Sequence, residues 1–200
     1  MDSAEKLWAE AARSGFVTVD GVRYSLAYVL ANGLPVPDSV REGAELLESA
    51  ILERVRNCPD QKIVVAGYSQ GSWVVRVALD ALSRRDDWPQ VSERISGVGL
   101  LADPYNVLAR PGLPRNLVNS GRTFTICLPG DPVCNDPRRI GDCAPDATEE
   151  RCVHLRYARD TDPAIGTTPV RQVSLFLDIS LRDLRPNLPP AVGVPSNPLT

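Results

Sequence analysis

Apolar residues along this chain recur in two rhythms. Short consecutive runs, Ile63-Val64-Val65, Ile95 to Leu101 and Thr123 to Ile126, suit strands covered on both faces of a parallel sheet. Other stretches space their apolar positions three and four apart. Val40, Ala44, Leu47, Ile51 and Val55 form one helical stripe, and Ser72 to Ser83 carries a second. Val170, Val173, Phe176, Leu177 and Leu181 form a third. Start and stop signals fit these segments. Ser39 with Glu42 reads as a capping box, and Pro59 ends that helix. Thr168 reads as the cap of the last helix, with Pro169 at its first position, where a missing N–H costs nothing.

The remaining segments are plainer. Ser3 to Ser14 reads as a helix, with Leu7, Trp8, Ala11 and Ala12 on one face and Gly15 as its stop. Phe16 to Tyr24 reads as a strand interrupted at Asp20-Gly21, and Asn32 to Asp38 as a loop. Arg84 to Pro89 reads as a charged turn, while Pro111 and Pro114 mark a long loop. Cys127 to Thr167 has no regular period, and the Pro-rich stretch from Arg185 reads as a loose tail. Alternating strands and helices imply an α/β fold, a doubly wound parallel sheet with helices on both faces. The expected organisation is one domain over residues 1–184, then the tail over 185–200. In such sheets the working site lies off the carboxyl ends of the strands. That rule selects Ser69, Asp103 and Asp131, each a short way past a strand end.

Composition narrows the function classes. The 200 residues are 43% hydrophobic, enough for a single well-buried core. A net charge of −3, with no long basic run, argues against nucleic acid as a partner. No apolar run approaches the length of a membrane span, and the first residues lack the charged-then-apolar layout of a signal peptide.

The chemistry concentrates at Gly67-Tyr68-Ser69-Gln70-Gly71. A G-x-S-x-G between a strand and a helix is a nucleophile elbow, which exposes Ser69 Oγ at a helix N-terminus. The bland alternative is a tight turn with an incidental serine. A serine hydroxyl needs a base to take its proton, and the chain holds one histidine, His154. The acid is Asp103 or Asp131. Asp103 precedes Pro104 and can simply end its strand. A bridge between Cys127 and Cys134 would close a rigid ring around Asp131, and such preorganisation favours Asp131.

Together these residues resemble a family. G-Y-S-Q-G, the C-x-x-G-D-x-x-C ring from Cys127 to Cys134, and His154-Leu155-x-Tyr157 are similar to the motifs of the cutinase family of serine esterases. The resemblance runs from about Ser39 to Leu181. It implies a small lidless α/β-hydrolase with Ser69 as nucleophile, Asp131 as acid and His154 as base, and Gln70 supplying an oxyanion N–H. It also implies secretion, and lipid or polyester-type esters as substrates. Cys127–Cys134 and Cys143–Cys152 are the expected disulfides, because the partner of a cysteine at the Cys58 position lies, in the family, in a segment this sequence lacks.

Two departures accompany the resemblance. The family's first strand and its hydroxyl-bearing oxyanion loop have no counterpart here. Gly121-Arg122-Thr123, the nearest lookalike, precedes a strand and so falls at the wrong end of the sheet. Loss of one oxyanion donor costs about a hundredfold or more in kcat, so weak activity is expected. The Phe16–Tyr24 strand would then either pair with Lys62–Ala66 or leave that edge open. The second departure is a longer acidic insertion, Asn135 to Val153, with Cys143 and Cys152.

Zinc on Cys127, Cys134, Cys143, Cys152 and His154 is the rival reading of the cysteines. There is no C-x-x-C knuckle and the spacings are long, so disulfides, no metal and no cofactor are expected. Disulfides require an oxidising compartment, in tension with the missing leader, and a start site placed too far downstream would reconcile the two. The expected enzyme is a monomeric carboxylic ester hydrolase. The alternatives are an impaired relic that binds lipid or cell-wall glycolipid, and a mycolyl-arabinogalactan esterase.

Overall fold

A computed structural model describes residues 21–24, 37–108, 112–136, 138, 142–143, 147–157, 159–160, 168–169, 171–172 and 176. Its centre is a three-stranded parallel sheet of β1 (Ile63–Tyr68), β2 (Ile95–Leu101) and β3 (Thr123–Ile126), in that order. Ala66 stands opposite Gly99 and Tyr68 opposite Leu101, while Leu101 in turn stands opposite Ile126. The three strands therefore end level, and the segments that leave their carboxyl ends meet at one edge.

Around the sheet lie α1 (Asp38–Asn57), α2 (Gln70–Leu82), α3 (Trp88–Arg94), α4 (Tyr105–Leu108) and α5 (Arg115–Asn119). One face buries Val65, Val98 and Leu100 beneath Ile51, Val75, Leu79, Leu82, Val91 and Leu117 from these helices. The other face packs Val64, Ala66, Tyr68 and Phe124 against Leu128, Tyr157 and Phe176. Both faces are covered, which is why the strands read as continuous apolar runs rather than alternating ones.

Three local expectations need correction. The capping box at Ser39 does not form. Asp38 opens α1, Pro37 is its cap residue, and the Pro37 carbonyl accepts the Val40 and Arg41 N–H groups. Ser39 instead turns inward and is buried, because it falls on the same face as the Val40–Ala44 stripe. The turn over Arg84 to Pro89 gives way at Trp88 to α3, whose Pro89 sits in the first turn, where proline is tolerated. The loop marked by Pro111 and Pro114 likewise contains α5.

Of the expected Phe16–Tyr24 strand only Gly21 to Tyr24 are described, and those residues are not strand. Tyr24 packs between α1 and α2 instead, against Val40, Trp73 and Val74. Its ring atoms lie 2.9 Å from where a Cβ on Gly43 would stand. The expected helix over Ser3 to Ser14 and the tail over 185–200 lie outside the described residues. Thr168 does act as a cap, its hydroxyl accepting the Arg171 N–H at 3.3 Å, with Pro169 next in the helical turn.

Candidate active site

Ser69 sits between β1 and α2 with φ 55° and ψ −122°, a conformation that side-chain-bearing residues rarely adopt. Two features hold it there. A Cβ on Gly67 would stand 2.5 Å from the Gly71 carbonyl and 2.6 Å from the Ser72 nitrogen, so only glycine allows the close approach. The Ser69 N–H and the Ser72 hydroxyl both donate to the Leu101 carbonyl at 2.9 Å, tying the elbow to the end of β2. Gly71 is different. Its Cβ would meet nothing closer than the Tyr24 hydroxyl at 3.9 Å.

The Ser69 hydroxyl lies 2.7 Å from His154 Nε2. On the other side of the ring, Nδ1 is 3.0 and 3.1 Å from the two oxygens of Asp131. Serine, imidazole and carboxylate therefore form one hydrogen-bonded line, across sequence separations of 85 and 23 residues. Asp131 is fully buried, and the loop after β3 presents it: Gly130 takes a positive φ of 83°, and the Asp131 carbonyl accepts the Asn135 and Asp136 N–H groups. The Cys127–Cys134 disulfide closes that loop with its Cα atoms 5.9 Å apart.

Asp103, the competing carboxylate, is equally buried but points elsewhere. It accepts the Arg76 guanidinium at 2.5 Å and the Tyr105 N–H at 3.0 Å, starting α4. Ala102, just before it, has a positive φ of 50°.

His154 lies in a 3-10 turn, Val153–Leu155, directly after Cys152 of the Cys143–Cys152 disulfide. The Tyr68 ring stacks on the imidazole at 5.1 Å and 18°, and the Tyr68 hydroxyl donates to the His154 carbonyl. Tyr157 closes the far side of the cluster. Its hydroxyl donates to Asp131 Oδ2 at 2.7 Å and accepts the Leu128 N–H at 2.9 Å. Burial, then the neighbouring Asp131 charge, pushes the Tyr157 phenol well above the ordinary tyrosine range. Both tyrosines lie within the sequence motifs, but no sequence signal joins Tyr68 to a carbonyl 86 residues away.

Gln70 follows Ser69 as the first residue of α2, which sets its backbone N–H at the helix N-terminus. The lookalike oxyanion loop is not near it. Arg122 and Thr123 lie at the start of β3, where the Arg122 guanidinium donates to the Ser92 and Ile95 carbonyls at 2.6 and 2.8 Å. Cys127, Asp131 and Cys134 place possible ligand atoms within 4.8 Å of one another, yet both sulfurs are taken up in a disulfide and offer no thiolate. Cys143 and Cys152 are bridged as well, and Cys58 is free, in agreement with the expected pairing. No helix among the described residues is long and apolar enough to cross a membrane.

A serine at a strand–helix elbow thus lies in line with an imidazole and a buried carboxylate on a parallel α/β sheet, an arrangement in which the imidazole can take up the hydroxyl proton. The chain belongs to the cutinase family, whose model matches residues 3–166, reaching further toward the N-terminus than the Ser39 boundary expected from the motifs. The cutinase of Botryotinia fuckeliana is 30% identical over 153 residues, 76% of this chain and 63% of that protein. The carboxylesterase Culp1 of Mycobacterium tuberculosis (strain CDC 1551 / Oshkosh) is 28% identical over 116 residues, 53% of this chain and 51% of that one. The solved Trichoderma reesei cutinase, in complex with a phosphonate inhibitor, matches at 25% identity and a TM-score of 0.48, over 72% of this chain and 52% of that one. The chain spans about half the length of most of the curated relatives it matches.

Proposed function

We propose that this protein is a serine esterase that hydrolyses carboxylic esters of lipid or polyester type through an acyl-enzyme. The observation that carries the reading is the line from Ser69 Oγ to His154 Nε2 at 2.7 Å and from Nδ1 to Asp131 at 3.0 Å. His154 takes the hydroxyl proton as Oγ attacks the ester carbonyl, and Asp131 holds the ring in the tautomer that leaves Nε2 free to accept it. The Gln70 N–H donates to the developing oxyanion, a contact worth about 3 kcal/mol in hydrolases of this kind. His154 then passes its proton to the departing alcohol. A water molecule, deprotonated by the same imidazole, attacks the acyl carbonyl and returns Ser69 to its free state.

Family membership supports the ester as the reacting group, and the two disulfides support a protein that works outside the cell. Turnover of a short p-nitrophenyl ester by the parent protein and by Ser69→Ala is the test. Ser69→Ala should lose at least about a thousandfold in kcat. Equal rates for the two proteins would remove the reading.

A further inference from the structure

We infer that Tyr157 is a positioning residue for this line of groups: its buried hydroxyl holds the far oxygen of Asp131 and takes a share of the charge that the carboxylate presents to His154. The inference deepens the reading of His154 as the base, and rests on that reading for its kinetic arm.

The geometry around Asp131 carries it. Oδ1 accepts the Val133 N–H at 2.8 Å and Oδ2 accepts the Tyr157 hydroxyl at 2.7 Å. Each carboxylate oxygen thus already has one donor besides the imidazole. A carboxylate shared in this way keeps its charge but spreads it over three partners, so less is left to stabilise an imidazolium.

The direction of the Tyr157 hydroxyl is fixed by its other neighbours. One of its lone pairs is taken by the Leu128 N–H at 2.9 Å. Cys134 Sγ lies 3.3 Å away, but it is in a disulfide and has no proton to give. The carboxylate is therefore the partner that receives the phenol proton. Burial keeps that proton in place across the range in which an esterase works.

Among the described residues, the groups packed on the imidazole are Asp131 from the loop after β3, Ser69 and Tyr68 from the elbow, and Tyr157 from its own segment. Arg156 turns its guanidinium to the carbonyls of Glu149 and Glu150 and to Asp160. Asp103, at the end of β2, is tied to Arg76.

Because His154 is the chain's one histidine, its ring titration can be followed by NMR without assignment against other imidazoles. In Tyr157→Phe the ring titration should move up by about half a pH unit, and the acid limb of kcat/KM should move with it. Tyr68→Phe removes a hydroxyl from the same cluster without touching Asp131, and should leave the titration where the parent has it. A folded Tyr157→Phe whose ring titrates like the parent's overturns the inference. So does a Tyr68→Phe that shifts it equally, since loosened packing would then be the cause.

Should Tyr157→Phe fail to fold, the unmutated protein still decides. The Tyr157 hydroxyl proton should be protected from exchange, and its resonance should move with the same midpoint as the His154 ring. A resonance that stays fixed while the ring titrates refutes the coupling. An active Ser69→Ala would sink the esterase reading alone, because the NMR titrations do not depend on turnover.

Discussion

The elbow and the acid–base segment meet at one hydrogen bond, yet they are held in place by different means. From Ile63 to Leu82 the geometry comes from regular structure. A strand buried at Val65, a helix buried through Trp73, Val75 and Leu79, and a glycine at the crossing leave Ser69 little freedom. From Cys127 to Tyr157 the described residues hold no strand, only turns and short 3-10 segments. Two disulfides and two tyrosine hydroxyls do there what a ladder does in the sheet. The nucleophile is thus fixed by backbone packing, and the base and acid by cross-links.

The sharpest way to break this contrast lies within the elbow itself. Gly67→Ala would set a Cβ 2.5 Å from the Gly71 carbonyl, where neither backbone can yield. It should cost about 3 kcal/mol or more in stability, by the strain of overpacking, and activity should fall with it. Gly71→Ala meets open space out to 3.9 Å and replaces a helical glycine. Its stability should be unchanged or higher by up to about 1 kcal/mol. Thermal melts of the two variants check this. Equal losses would mean that the elbow tightens around both glycines and that backbone contact at Gly67 is not what fixes Ser69.

A milder reagent tests the other region. Each bridge closes a short loop, with sequence separations of 7 and 9 residues, and should contribute about 2 to 3 kcal/mol. Reduction should therefore abolish activity while far-UV circular dichroism and the β1–α2 core persist. Removing Cys127–Cys134 frees the loop that carries Asp131, and removing Cys143–Cys152 frees the turn that carries His154. If secondary structure and activity vanish together at one reductant concentration, the two regions are a single cooperative unit.

The same contrast explains what could be read from the sequence. Val40, Ala44 and Ile51 announce α1, and Ile63 to Val65 announce β1, because burial there follows the period of the backbone. Where a signal was local it failed at Ser39, whose side chain the core claimed from the helix cap. It also failed at Trp88–Arg94, where charge and Pro89 hid a short helix. The serine of the elbow is legible in five consecutive residues. The choice between Asp103 and Asp131 rested on the mechanics of a ring, and the structure sets Asp131 beside His154 and Asp103 beside Arg76. No local pattern could give Tyr157 its carboxylate partner, since that contact exists only once the segment has folded back on β3.

The smallest expected effect falls on the residue that joins the two regions. Tyr68 belongs to β1 by its backbone, yet its hydroxyl donates to the His154 carbonyl and its ring stacks on the imidazole. Tyr68→Phe keeps the ring and removes only the hydrogen bond, a loss of about 1 kcal/mol. If that bond serves to keep the base over Ser69, kcat/KM should fall about fivefold with little change in melting temperature. The cost should grow when the Cys143–Cys152 bridge is also absent, because fewer restraints then hold the turn that carries His154. A double-mutant cycle measures this directly: non-additivity beyond about 0.5 kcal/mol means that the bridge and the hydroxyl hold the same degree of freedom. Strict additivity would mean that the bridge and the hydroxyl restrain the base independently.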